Sequence, residues 1–421
     1  MNSPETSAAS FPTKRPELSA SSTSTSDQPS QPAQEATGTL IVGGGVIGLS
    51  IAWELVRRGE DVTVIDRGPI AHGTSWAAAG IFPPANFDRA TDPIDRLRGF
   101  SHTLWPLWCQ QLLDQTGIDP GLIRCGGLYL AETVGEASAL TGMMSYWGDL
   151  DLECERIEAT DLLRRQPRLK DWAQTNPWIQ SHPNSAAWWT PDEYQIRPSR
   201  LLTALATACQ SRGVVLLPHT SVLDLSTDDT GCTAKVMTRD ATEHTLRCDR
   251  VVLCGGASIG SICPEIRLES SVIPIRGQIL LLHSETFTDP IVLNVGNRYL
   301  VARGDGNVLV GSCEEEVGFE EGTTCEVIQG LRHFANRVCP ELESATVVSQ
   351  WSGHRPMTFD GFPMIGRVPD QSNLFVAGGH YRSGIHLASG TAVAMADILE
   401  GKQSFMDLSA FSVGKQQAVV H

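Results

Sequence analysis

The stretch Leu40-Ile-Val-Gly-Gly-Gly-Val-Ile-Gly-Leu49 decides the fold: an apolar β-type run stops at a cluster of glycines and turns helical. Gly43, Gly45 and Gly48 form G-x-G-x-x-G, one glycine for the sharp turn, one for close approach of backbone to a pyrophosphate, one for packing of helix on strand. Val46, Ile47 and Gly48 lie where free helix N–H groups would meet the phosphates. Working outward, Thr39 to Val42 supply a first strand, Leu49 to Arg58 an amphipathic helix, Gly59 its stop, and Asp61 to Ile65 a second strand. Asp66, with Arg67 beside it, follows 18 residues beyond Gly48, placed for its carboxylate to accept hydrogen bonds from ribose hydroxyls. A Gly-rich turn in an ordinary βαβ unit is the bland alternative, and the surroundings of the motif argue against it.

At 421 residues the chain is too long for one ordinary core, so about two domains are expected. Its net charge of −16 argues against nucleic acid or an anionic membrane as partner and for a small-molecule substrate. Eleven cysteines without C-x-x-C pairs argue against a disulfide frame or a metal site and for a reducing cytoplasm. No stretch approaches the roughly 18 continuous apolar residues of a membrane span. Residues 1–36, rich in Ser, Thr, Pro, Ala and Gln, read as a disordered tail, and Glu5 and Glu17 argue against a targeting peptide.

The run Ala71 to Pro84 is dominated by small residues, which let backbone lie against a flat ligand: Thr74 and Ser75 could bond phosphate or ribitol, and Ala79, Gly80 and Ile81 could line a ring system. Residues 86–185 carry helical patterns, such as Ser101 to Gln115 and Ala159 to Gln166, around a strand-like Gly127 to Ala131. A nucleotide-domain pattern returns with the helix Pro198 to Arg212, the strands Val214 to Leu217 and Ser221 to Leu225, a hairpin, and the buried strand and glycine turn Val251 to Ala257. Val272 to Ile275, Gln278 to Leu282, Ile291 to Val295, Arg298 to Ala302 and Asn307 to Gly311 alternate as a mainly antiparallel sheet. The chain then gives a buried strand, Asn373 to Gly379, a turn, His380 to Ser383, and a helix from Gly384 to Glu400 whose N-terminus is positive. The expected fold is α/β. A Rossmann-like domain forms from 37–85, 186–267 and 351–402; an α+β domain forms from 86–185 and 268–350; 403–421 are a tail.

These motifs together resemble the FAD-dependent D-amino acid oxidase family, nearest its glycine oxidase branch of thiamine biosynthesis. The matching residues are Gly43 to Gly48 with Asp66, Thr74 to Ile81, Tyr299-Leu-Val-Ala302, Trp351-Ser-Gly-His-Arg-Pro356, Asp360 to Gly366 and Gly379-His-Tyr-Arg-Ser-Gly-Ile385. The resemblance implies an FAD-binding domain of the glutathione-reductase type, and transfer of the substrate Cα hydrogen as hydride to flavin. The imine is then hydrolysed and O2 is reduced to H2O2. It implies that Arg355 holds the carboxylate of glycine, sarcosine or a small D-amino acid, that Tyr299 assists there, and that Arg382 is a second arginine near the flavin. Two positive charges would favour the neutral amine, so no protein base is needed. The turn His380, Arg382, Ser383 with Gly384 and Ile385 would face the flavin, and Val222 and Gly255 the adenine side. No cysteine follows Arg355-Pro356, so FAD is expected to be non-covalent, and the resemblance implies a homotetramer.

Arg355 as a strand-end ion pair, Arg382 as a turn arginine facing solvent and Tyr299 as cross-strand packing are the bland alternatives, and His354 and His380 read as structural histidines. His354, Trp188-Trp189 and Asp192-Glu-Tyr194 depart from the commonest pattern, leaving pocket size open. The rival readings are a D-amino acid dehydrogenase reducing a quinone, an FAD-binding protein without turnover, and an NAD-linked dehydrogenase.

Overall fold

A computed structural model describes residues 38–262 and 271–414. The expected tail 1–36 and the last part of the expected tail 403–421 lie outside them.

The glycine motif sits where predicted. Strand Thr39–Val42 is fully buried, and the helix that follows, Val46–Arg57, begins three residues earlier than its amphipathic pattern suggested. That strand is central in a six-stranded sheet, ordered Met364–Arg367, Leu374–Gly378, Arg250–Leu253, Thr39–Val42, Val62–Ile65, Val215–Leu217. Every pairing is parallel except the one between Met364–Arg367 and its neighbour. Buried on both faces, these strands read as continuous apolar runs rather than alternating ones. The C-terminal helix Gly384–Leu399 packs along Val46–Arg57, and Arg58 fastens the two by bonds to Glu54, Asp397 and Glu400 at 2.9, 2.7 and 2.5 Å.

The second sheet has eight strands, in the order Thr346–Thr358, Val272–His283, Asn307–Gly311, Arg298–Ala302, Ile291–Val295, Gly127–Leu130, Ala187–Thr190, Glu155–Ile157. It is antiparallel but for the pairing of Ile291–Val295 with Gly127–Leu130. One face packs on Leu331, Phe334 and Val338 of helix Cys325–Val338; the other gathers Ile279, Val292, Val301 and Leu309 against Ala79 and Ile81 of the small-residue run. Among the described residues no helix is long and apolar enough to cross a membrane.

Three local readings change. Val272 to Ile275 and Gln278 to Leu282, expected as two strands, are one strand of twelve residues, because Gly277 serves a side chain rather than a turn. Trp351 to Pro356 and Ala187–Thr190, expected with the cofactor domain, pair in the eight-stranded sheet instead. The twin tryptophans are packing residues: Trp188 is fully buried and stands opposite Tyr129, and Trp189 is half-buried opposite Leu128.

Candidate active site

The glycines fit a dinucleotide for separate reasons. Gly43 has φ of 120°, and a Cβ there would stand 2.4 Å from the Cys254 carbonyl oxygen; one on Gly48 would stand 1.9 Å from that of Gly43. These two keep strand ends and helix in contact. A Cβ on Gly45 meets only the Ser75 hydroxyl, at 3.0 Å, so this glycine faces open space at the helix N-terminus. Ser75 Oγ accepts the Val46 N–H at 3.0 Å, and the first-turn N–H groups of Ile47 and Gly48 remain for an anion. Asp66 accepts the N–H of Gly44 on one oxygen and that of Gly68 on the other, each at 2.8 Å, which leaves each oxygen a lone pair for a ribose hydroxyl. Arg67 is exposed. Gly255 follows Cys254 at the adjoining strand end, and Val222 is half-buried where its strand's register shifts.

The segment Thr74 to Ile81 is tied to the eight-stranded sheet at both ends. Thr74 Oγ1 donates to the His354 carbonyl at 2.7 Å and Trp351 Nε1 to the Ala77 carbonyl at 3.0 Å. At the far end Arg303 Nη2 donates to the Ala79 carbonyl at 2.6 Å, Gly80 accepts the Ile196 N–H at 2.8 Å, and Ile81 pairs with Gln195. Arg303 was not foreseen. Only 7% exposed, it also donates to Gln195 Oε1 at 3.1 Å and the Ile196 carbonyl at 3.0 Å, and burial pulls its pKa down to about 10.

Ala79, Ile81, Tyr299 and Trp351 pack together on the sheet face opposite helix Cys325–Val338. Two glycines make room for the candidate side chains: a Cβ on Gly311 would lie 2.4 Å from the Tyr299 hydroxyl, and one on Gly277 would lie 2.4 Å from the Arg355 guanidinium. Arg355 Nη2 donates to Ser312 Oγ at 2.6 Å and Nη1 to the Cys313 carbonyl at 3.0 Å. Burial pushes the Tyr299 phenol up, against the pull of Arg355, a Ser312 hydrogen bond, Arg382 and Arg303. Tyr299 and Arg355 therefore converge on Ser312, a residue that no motif announced.

Arg382 is brought to the same place but not as an unpaired cation. Its Nε donates to Glu314 Oε1 at 2.8 Å, its Nη2 lies 2.6 Å from the same oxygen, and Tyr381 donates there too. Burial pushes the Glu314 carboxyl up, but these bonds and the charges of Arg382 and Arg355 outweigh it and hold it below the usual range. The expectation of two positive charges is corrected to two arginines and one carboxylate.

His380 bonds Thr391 Oγ1 at 3.0 Å, and burial lowers its pKa to about 3, so it is a neutral structural histidine. His354 bonds the Glu320 carbonyl at 2.8 Å. Ser383 caps the 16-residue helix Gly384–Leu399 without a side-chain bond and borders a cavity of about 280 Å3 with Pro83, Arg98 and Tyr146; Ile385 is buried. A further unforeseen group, Glu193, is fully buried and accepts from Tyr129 Oη at 2.5 Å and Asn294 Nδ2 at 3.2 Å. Tyr129, Asn294 and Tyr299 stand opposite one another on three adjacent strands.

The profile of the family described as FAD dependent oxidoreductase matches residues 39–398. A glycine oxidase of Geobacillus kaustophilus is 31% identical over 89% of this chain and 95% of its own. The crystal structure of a glycine oxidase from Geobacillus kaustophilus, 30% identical, superposes with a TM-score of 0.81, covering 90% of this chain and 98% of the other. A glycine oxidase of Pseudomonas putida is also 31% identical, over 89% of this chain and 97% of its own. The bifunctional protein ThiO/ThiG of Nostoc is 32% identical over 90% of this chain but only 55% of its own.

Proposed function

The chain belongs to the FAD dependent oxidoreductase family and is an FAD-dependent amino acid oxidoreductase, and from that premise we propose that it deaminates glycine, sarcosine or a small D-amino acid with O2 as acceptor. One observation carries the reading: Arg355 and Tyr299 converge on Ser312, on the sheet face packed against Ala79 and Ile81.

FAD, when bound, supplies the two-electron acceptor. The chain's own residues bind and orient. Arg355 spends two N–H groups on Ser312 and Cys313, both neutral acceptors, and keeps the others for two parallel bonds to a carboxylate. The Tyr299 hydroxyl, held protonated by burial, donates to the same carboxylate. With Arg382 and Glu314 paired, Arg355 and Arg303 leave positive charge in excess around this point, so the substrate ammonium loses its proton to water on binding, and the neutral amine is the form that reacts. The positive end of Gly384–Leu399 adds to that field. No side chain need act as base.

In this reading FAD is non-covalent, the enzyme is a cytoplasmic homotetramer, and its imine feeds thiazole synthesis, a role supported by the likeness to the ThiO/ThiG protein. The test is an absorption spectrum under argon before and after glycine, sarcosine or D-alanine, followed by O2. Bleaching, with peroxide on reoxidation, is expected. A flavin bleached by none of them removes the substrate class, and one that bleaches yet consumes no O2 moves the acceptor to a quinone.

A further inference from the structure

We propose that Glu314 is a specificity-determining residue that restricts the site to amines carrying a single carboxylate, because it occupies Arg382 and sets its own negative charge beside Arg355. The inference rests on the amino acid oxidase reading above and adds the substrate class.

Three observations carry it. First, the two arginines are not equivalent. Arg355 is bonded only to uncharged acceptors, the Ser312 hydroxyl and the Cys313 carbonyl, whereas Arg382 directs both Nε and Nη2 at Glu314. One guanidinium keeps a whole charge for a ligand, and the other is already neutralised. Second, all these bonds fall on Glu314 Oε1, Tyr381 adding a third, so Oε2 keeps its lone pairs and its share of negative charge. Third, Glu314 lies two residues after Ser312 on the segment that follows Asn307–Gly311, so the group that rejects and the hydroxyl that Arg355 bonds are positioned by one piece of chain.

Apart from Arg382 and Arg355, the charges near Glu314 are paired among themselves. Glu315 is taken by Arg276, at 3.1 and 3.2 Å, and by Gln278 at 2.8 Å, and Glu320 lies 3.7 Å from Arg276. Arg276 thus faces two acids and Arg382 faces one. Glycine, sarcosine or D-alanine brings one carboxylate, which Arg355 accepts. Iminodiacetate or D-aspartate would bring a second, which finds Arg382 occupied and a carboxylate in front of it. Arg382 and Glu314 are both exposed in this structure, at 48% and 39%, so a second carboxylate reaching them meets like charge at Glu314, and discrimination comes from that repulsion as well as from the grip on the correct ligand.

Glu314→Gln tests this, since the amide keeps the size and one oxygen for Tyr381 and Arg382 while removing the charge. Binding is read without turnover from the absorption change of the bound flavin on titration with acetate and with malonate, a monoanion and a dianion that cannot be oxidised. The wild-type holoenzyme should prefer acetate. In Glu314→Gln the malonate-to-acetate affinity ratio should rise on the order of 10- to 100-fold, and kcat/KM for iminodiacetate relative to sarcosine should rise with it, through KM. Glu314→Asp, which keeps the charge, should retain the wild-type preference. An unchanged ratio in Glu314→Gln, or an equal rise in Glu314→Asp, overturns the proposal. Failure of the wild-type flavin to be bleached by any of glycine, sarcosine and D-alanine sinks the amino acid oxidase reading instead, so the two failures are distinguishable.

Discussion

Glu193→Gln should stabilise the protein in alkali much more than in acid. The carboxyl is fully buried between Tyr129, which donates at 2.5 Å, and Asn294, at 3.2 Å. Both donors favour the charged form, yet burial outweighs them and raises the pKa from 4.5 to about 7. Between those two values the folded chain keeps a proton that the unfolded chain has released, so stability falls as pH rises through this window and is flat above it. Each pH unit inside the window is about 1.4 kcal/mol. From pH 5.5 to 8 the wild type therefore loses roughly 2 kcal/mol that glutamine, having no charge to bury, does not lose. The amide oxygen can still accept from Tyr129. Its NH2 would face the Asn294 NH2 unless that amide turns over, a cost that is the same at every pH and cancels from the comparison. The assay is urea unfolding of the variant and wild type at pH 5.5 and pH 8 with FAD at one saturating concentration. A stability difference between the two proteins that is equal at both pH values would refute the assignment of a buried, raised carboxyl.

Arg355→Ala should leave FAD bound and raise KM about 30- to 1,000-fold, the equivalent of the roughly 2 to 4 kcal/mol lost when a desolvated charged pair is broken; unchanged steady-state kinetics would remove Arg355 from the site. Gly45→Val should yield apoprotein, because branched carbons beyond the Ser75 hydroxyl enter the pyrophosphate path, and a stoichiometric FAD spectrum in that variant would contradict the cofactor placement. Arg303→Met should weaken FAD binding about tenfold or more and shift the flavin absorption, because three buried acceptors, Ala79, Ile196 and Gln195, lose their donor; an unaltered dissociation constant would show that the Ala79 segment holds itself.

The part of the fold written in short-range pattern was legible. Thr39–Val42 and Val46–Arg57 follow from the apolar run and its glycines, and Gly384–Leu399 from a helical period between two glycines. Gly277 misled because a glycine that ends a strand and a glycine that makes room for a guanidinium look alike in sequence. The distinction exists only once Thr346–Thr358 is laid alongside Val272–His283. The arginine and tyrosine proposed to hold the substrate were named from matched flanks. Ser312, Glu314 and Arg303 were not, because each acts from the residues just beyond a strand, where no period constrains side-chain direction. The one available signal was the acidic run Glu314-Glu315-Glu316, which a surface would also carry. Glu193 was visible only as a departure, since a carboxyl gives no sign in sequence of whether Tyr129 and Asn294 will enclose it.

The placement of Arg303 bears on how the two sheets act together. A lone buried cation is costly, and nothing in the Thr74–Ile81 segment requires one, since an apolar residue could fill the space beside Ala79. What an apolar residue could not do is bond three oxygens from two separate segments, Ala79 on the small-residue run and Gln195 with Ile196 on the strand that pairs with Ile81. Arg303 follows Arg298–Ala302, the strand bearing Tyr299, so its bonds fix that strand against the backbone proposed to face the flavin. Thr74 and Trp351 do the same from Thr346–Thr358, the strand bearing Arg355. Each side chain proposed to hold the substrate thus stands on a strand with its own tie to the Thr74–Ile81 segment. A shift of one strand by 1 Å relative to that segment would have to break such a tie, which is the positional tolerance that oriented transfer between two bound molecules demands.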